Sequence, residues 1–258
     1  MKKTGDDMKN ANKESEWFGY SKVKPEEKTK RVINVFDSVA SNYDIMNDLM
    51  SGGIHRLWKN RFVGLMHPRA NKSLLDVAGG TGDIAFRYRA KAGDKADITV
   101  FDLNREMLKV GKSRAIDRGY LKGFDWVAGN AEELPFEDDR FGLYSIAFGL
   151  RNVTRIDNAL AEAFRVLKPG GQFFCLEFSH VKNDAFRKIY DAYSFSIIPK
   201  IGELVAKDRD SYQYLVESIR QFPKQAELAE RMEDAGFEGV KVIDLSGGIA
   251  AIHIGTKL

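Results

Sequence analysis

From residue 73 onward the chain alternates short apolar runs with helix-length stretches, and no other feature constrains its fold as strongly. Ser73–Ala78, Ile98–Leu103, Phe124–Ala128, Phe141–Phe148 and Gln172–Phe178 read as strands. The segments between them, including 83–92, Glu106–Arg118 and a stretch ending near Leu167, read as helices. Helical crossovers make successive strands parallel, so a doubly wound sheet follows. Val240–Leu245 and Ala250–Thr256 are separated only by the Ser246-Gly247-Gly248 region, too short for a parallel crossover. The expected fold is α/β, a mostly parallel seven-stranded sheet ending in an antiparallel hairpin.

The rest of the chain is organised around that sheet. Residues 1–24 read as a solvated polar arm in which Trp17, Phe18 and Tyr20 are the groups able to dock. Residues 25–258 read as one domain: a helical cap at 25–72, a core at 73–180, an aromatic helical lid insertion at 184–222 and closing strands at 237–258. The 258 residues carry 40 Lys+Arg against 37 Asp+Glu, a net charge of +3, with the signs interleaved. Without a basic stripe, nucleic acid is not expected as a partner. The single cysteine, Cys175, and the lack of any Cys/His cluster exclude a disulfide or zinc framework, so no metal is expected. A reducing, cytoplasmic setting is the natural expectation.

The chemistry concentrates where Leu74–Ala78 runs into Gly79-Gly80-Thr81-Gly82-Asp83. Glycines there let the backbone turn sharply and approach a ligand, with the first helical N–H groups facing the same space. Asp102 ends the next strand about 20 residues later, where a carboxylate can accept both hydroxyls of a ribose. Asn130 and Ala131 follow the third strand, placed to border an adenine. A nucleoside ligand is therefore expected, although Asp102 can also be read as a cap of the following helix. Asp76 and Asp83 flank the loop with negative charge, which favours the ammonium and sulfonium of S-adenosylmethionine over a pyrophosphate.

Three further motifs carry a resemblance. Tyr43 through Trp58 (YDIMNDLMSGGIHRLW), Phe148 through Val153 (FGLRNV), and Arg165 through Gly171 (RVLKPGG) continuing to Leu176-Glu177-Phe178-Ser179 are similar to the ubiquinone/menaquinone biosynthesis C-methyltransferase family. The likeness covers residues 28–258. It implies a class I S-adenosylmethionine-dependent methyltransferase fold and C-methylation of a polyprenylated benzoquinol or demethylmenaquinol ring. Family cofactor positions map onto Thr81, Asp102, Asn130 and Ala131, with Gly79 in the loop. Ala147 stands where the family commonly has serine, so a hydroxyl contact is missing there, and Gly142 stands where aspartate is usual.

Carbon methylation of a quinol needs a ring oxygen deprotonated, so that charge reaches the attacking carbon. Arg151 is the first candidate to stabilise that oxyanion or orient a water that takes the proton, Asn152 can fix the same oxygen, and His55 is a candidate base. Tyr43 and Asp44 are candidates to close the pocket, and Glu177 points toward the same region. The aromatic stretch, with Lys188, Lys200 and Lys207, is expected to wall an apolar channel or to meet the cytoplasmic face of the inner membrane, with core packing or a homodimer interface as the alternatives. A quinone-biosynthesis complex is a further expected partner. Two rival readings stay open: another acceptor such as a sterol, small phenol or RNA base, and a non-catalytic nucleotide-binding scaffold.

Overall fold

The computed structural model describes residues 15–39, 48, 51–196 and 209–258. Tyr43, Asp44, Lys200 and Lys207 lie outside them. A short antiparallel ribbon comes first, β1 (Glu16–Phe18) and β2 (Ser21–Val23), followed by α1 (Pro25–Val39) and α2 (His55–Leu65). The alternating core is β3 (Leu74–Val77), α3 (Asp83–Ala92), β4 (Ile98–Asp102), α4 (Arg105–Asp117), β5 (Phe124–Ala128), β6 (Phe141–Ala147), a 3-10 turn at Leu150–Asn152, α5 (Ile156–Val166) and β7 (Leu167–Phe178). Helices α6 (Asp184–Ser196), α7 (Arg209–Gln221) and α8 (Gln225–Asp234) precede the closing strands β8 (Glu238–Leu245) and β9 (Ala250–Thr256).

The seven strands order as β5-β4-β3-β6-β7-β9-β8, with β9 antiparallel to both neighbours and the other pairs parallel. The expected architecture is therefore present. Strand periodicity explains how both faces are covered: Leu74, Leu143 and Phe174 enter one core with Trp58 and Phe62, while Leu75, Tyr144 and Phe173 enter the other with Phe141 and Phe237. The chain reverses strand order between β3 and β6, which opens a crevice at their carboxyl ends.

Two boundaries differ from the sequence reading. Residues 16–23, assigned to the polar arm, form the ribbon, whose Phe18 stacks on Tyr214 of α7. The Pro169-Gly170-Gly171 turn sits inside β7 as an irregularity, because the strand begins at Leu167, opposite Phe141, and resumes its register at Gln172 opposite Leu143. The chain's exit from β9 holds the kink, with Gly170 N donating to Lys257 O at 2.7 Å and Lys257 N to Gly171 O at 3.0 Å.

The crevice is built by close backbone approach. A Cβ added at Gly149 would lie 2.3 Å from the Cβ of Ala78, an atom fixed to the neighbouring strand end with no rotamer to yield. Gly149→Ala should therefore lower the unfolding free energy by about 1–3 kcal/mol through overpacking, seen as a reduced urea midpoint at unchanged slope. An unaltered midpoint would show that the two strand ends separate freely.

Candidate active site

The crevice lies at the carboxyl ends of β3, β4 and β6. Its floor is the end of β3 and the glycine loop. Gly80 and Gly82 take φ of 53° and 86°, left-handed values that glycine adopts without steric cost. Ala78 and Phe148, at the ends of β3 and β6, also have positive φ, 50° and 56°, so backbone strain collects at this edge.

Asp102 is bound on both oxygens by main-chain donors: Gly80 N reaches Oδ2 at 2.8 Å and Asn104 N reaches Oδ1 at 2.7 Å. The cap of α4 is Asn104, whose Oδ1 accepts from Met107 N at 3.0 Å. Capping is thus done by a neighbour, and the remaining lone pairs of Asp102 face the crevice it lines. Burial pushes its carboxyl up to about 6, against the pull of the two N–H groups.

Asp76 is fully buried in the middle of β3, opposite Ser145 of β6 in register, and Ser145 Oγ donates to its Oδ1 at 2.7 Å. Its Oδ2 has no partner among the described residues, and burial raises its carboxyl to about 7. An orphaned buried oxygen beside a glycine cradle is what a cationic amino-acid end of a ligand would fit. Asp83, by contrast, is already paired, with Lys59 Nζ and Arg87 Nε each 2.8 Å away, and these cations hold its carboxyl below the usual range. The flanking charge expected from two carboxylates is therefore left to Asp76.

Of the residues singled out in the sequence, Gly79, Thr81, Asp102, Asn130, Ala131, Ala147 and Asn152 all line this one crevice. Thr81 Oγ1 accepts from Arg114 Nη1 at 3.0 Å, and Asn130 Oδ1 accepts from Glu132 N at 3.1 Å. Arg151 lies just behind the wall. Its fully buried guanidinium sends Nη1 to Glu177 Oε1 at 2.7 Å and to Phe148 O at 2.5 Å, while Nε and Nη2 lack partners among the described residues. His55 is not part of the lining: it is buried at the head of α2, its Nε2 is 2.8 Å from Asp48 Oδ1, and burial lowers its affinity for a proton.

Sequence reading missed several wall residues. Val32, Ile33 and Phe36 present the apolar stripe of α1 to the crevice, and Leu103 and Met107 flank Asp102. Leu103 had a signal of its own, a large apolar residue at a strand end, and it remains 38% exposed. Lys59 had none, since its partner Asp83 belongs to another element. Among the described residues no His/Cys/Asp/Glu group is arranged to hold a metal ion.

Comparisons with known proteins bear on the fold and the family. Residues 24–257 match the model of the ubiE/COQ5 methyltransferase family. The 2-methoxy-6-polyprenyl-1,4-benzoquinol methylase, mitochondrial, of rice is 55% identical over 258 residues, spanning 93% of this chain and 88% of the relative. Its zebrafish namesake is 52% identical over 274 residues, covering 93% and 84%. Among solved structures, a SAM-dependent methyltransferase from Thermotoga maritima superposes with TM-score 0.62 at 20% identity, over 88% of this chain and all of that one. One from Aquifex aeolicus gives 0.60 at 17% identity, over 86% and 98%. The fold is thus that of the class I S-adenosylmethionine-dependent methyltransferases. With its family model spanning nearly the whole sequence and relatives above half identity, the chain belongs to the ubiE/COQ5 methyltransferase family.

Proposed function

We propose that this enzyme methylates a ring carbon of 2-methoxy-6-polyprenyl-1,4-benzoquinol, a step of ubiquinone biosynthesis, using S-adenosylmethionine. The observation that carries the reading is one crevice that joins the strand-ending carboxylate of Asp102 to Asn152 and the apolar stripe of α1. S-adenosylmethionine supplies, when bound, an electrophilic methyl group on a sulfonium. Asp102 would take the ribose hydroxyls, Asn130, Ala131 and Leu103 the adenine, and Asp76 the charge of the amino-acid end.

The protein's own work is on the quinol oxygen. Asn152 would hold it, and the Arg151 cation on the adjacent residue, itself paired with Glu177, would stabilise negative charge there. The quinol O–H proton leaves to water, the oxygen's electron pair is pushed to the neighbouring ring carbon, and that carbon becomes the nucleophile. Once the methyl–carbon bond has formed and the methyl–sulfur bond has broken, the C–H proton of the same carbon passes to water, which restores the aromatic ring. Glu177 keeps Arg151 charged and in place, its carboxylate also accepting from Phe178 N at 2.9 Å. His55 acts in this reading through the fold of α2.

The tail of the substrate dissolves in a bilayer, and the reading includes peripheral contact with a membrane surface. What supports it is Ile54 and Leu57, 41% and 67% exposed, with exposed Arg56 between them on the same helix start. Leu57→Asp should reduce flotation with anionic liposomes while leaving cofactor affinity unchanged, and equal flotation would reject the contact.

Two kinetic predictions follow from the crevice. Replacing Arg151 by Lys should keep the charge beside Glu177 yet lose the planar donor array, lowering turnover by about 10²-fold at unchanged cofactor affinity. Full turnover in that variant would remove Arg151 from the chemistry. For pH, Asp102 gains its proton as pH falls through about 6 and then loses an acceptor site for the ribose. Calorimetry should show cofactor affinity already weakening as pH falls through about 7, where Asp76 gains its proton, and a further weakening of up to about tenfold per unit below 6, where Asp102 adds to it. Asp102→Asn should flatten that slope, and a flat wild-type profile would refute the assignment.

A further inference from the structure

Asn152 is held from behind by a residue the crevice does not contain. Tyr214, on α7, is buried and donates its hydroxyl to Asn152 Oδ1 at 3.0 Å. Burial holds this phenol well above its ordinary range, so it keeps the proton it donates. A carboxamide has one acceptor end and one donor end. With Oδ1 occupied by Tyr214, the Asn152 amino group is the end left for the crevice that Asn152 lines.

The Tyr214 ring is itself immobilised. Phe18 of the N-terminal ribbon stacks on it, ring centres 4.1 Å apart and planes 14° from parallel. The Arg31 guanidinium carbon lies 5.5 Å from the centre of the Phe18 ring. The turn of the ribbon is seated on the same helix, one turn beyond Tyr214: Tyr20 N donates to Glu217 Oε2 at 3.0 Å, and Gln213 Nε2 holds the other carboxylate oxygen at 2.7 Å. Gly19, at the turn, takes a left-handed φ of 56°, which glycine adopts without steric cost.

We propose that Tyr214 is a positioning residue for methyl transfer, turning the Asn152 carboxamide so that its N–H donors meet the quinol oxygen, and that the ribbon Glu16–Val23 is the splint that fixes the Tyr214 ring. The proposal rests on the reading of Asn152 as the group that touches substrate. It assigns to two segments with no lining residue of their own a share in catalysis: helix α7, and a ribbon nearly 200 residues away in sequence.

The test uses the full chain, labelled S-adenosylmethionine and a short-chain 2-methoxy-6-prenyl-1,4-benzoquinol, with kcat, both KM values, cofactor affinity and melting temperature measured for Tyr214→Phe, Asn152→Ala, the double variant and Phe18→Ala. Tyr214→Phe keeps the stacked ring and deletes one hydrogen bond, so kcat should fall about tenfold while the cofactor's KM and affinity hold. The double variant should be no slower than Asn152→Ala, since Tyr214 acts through Asn152. Phe18→Ala should lower kcat in the same direction. Wild-type kcat in Tyr214→Phe, with Asn152→Ala slow, overturns the proposal and leaves the site reading standing, whereas wild-type kcat in Asn152→Ala overturns the site reading itself. Independent, multiplying losses in the double variant also overturn the proposal. If Tyr214→Phe does not fold, Phe18→Ala decides: slowed turnover at full cofactor affinity supports the splint, and unchanged turnover rejects it.

Discussion

The ion pair of Arg151 with Glu177 ties the turn after β6, which carries Asn152, to the carboxyl end of β7. Its side chains are 0% and 1% exposed, so both charges have lost their hydration and depend on each other. Desolvation of two ions costs about as much as their attraction returns, so the pair adds little net stability, while removing one partner leaves an uncompensated buried charge. What it provides is placement. Arg151 bonds Phe148 O and Glu177 Oε1 with the same nitrogen, and Glu177 also accepts from Phe178 N. The 3-10 turn Leu150–Asn152 is thereby pinned between β6 and β7, and Asn152 is pinned with it. An apolar pair of equal volume would pack as well but would leave no cation beside Asn152.

The parallel arrangement then does the gathering. Each right-handed crossover returns the chain to the same edge of the sheet, so Gly79, Asp102, Asn130, Ala147 and Asn152, spread over more than seventy residues, end on one crevice. The left-handed backbone at Ala78 and Phe148 marks where this convergence is tightest. Those two residues and Gly149 bring the ends of β3 and β6 together, and the sheet on either side over-determines their strained geometry.

Much of this was readable from residue order. Strand and helix positions in 73–178 follow from a change of period, and β5, α3 and β9 begin and end where the pattern of apolar residues says they do. The meeting of the glycine turn and the strand-ending aspartate in one crevice was equally legible, because both features act locally. What escaped depends on partners distant in sequence. The three-residue strands of the ribbon are too short to show a period, and their stability comes from Tyr214 and Glu217 on α7. The neutralisation of Asp83 needs Lys59 from another helix. An arginine in a sequence reads as solvated, and only the facing Glu177 reveals that Arg151 is not.

The charge left around the glycine loop bears on which nucleoside the fold accepts. A loop of this shape accommodates a pyrophosphate as readily as a methionine tail when only its glycines are considered. Lys59 would favour the anion, but it is 2.8 Å from Asp83, a carboxylate that Arg87 also pairs. Asp76 remains, with an unpartnered oxygen and a carboxyl that burial has raised to about 7. A cation beside it would restore ionisation and recover part of the desolvation cost, whereas a second anion would add repulsion at low dielectric. Ser145 sharpens this further by bonding only Oδ1, which leaves Oδ2 as the free acceptor. A preference for a sulfonium-bearing amino acid over a dinucleotide would thus rest less on the glycines than on one aspartate of the central strand.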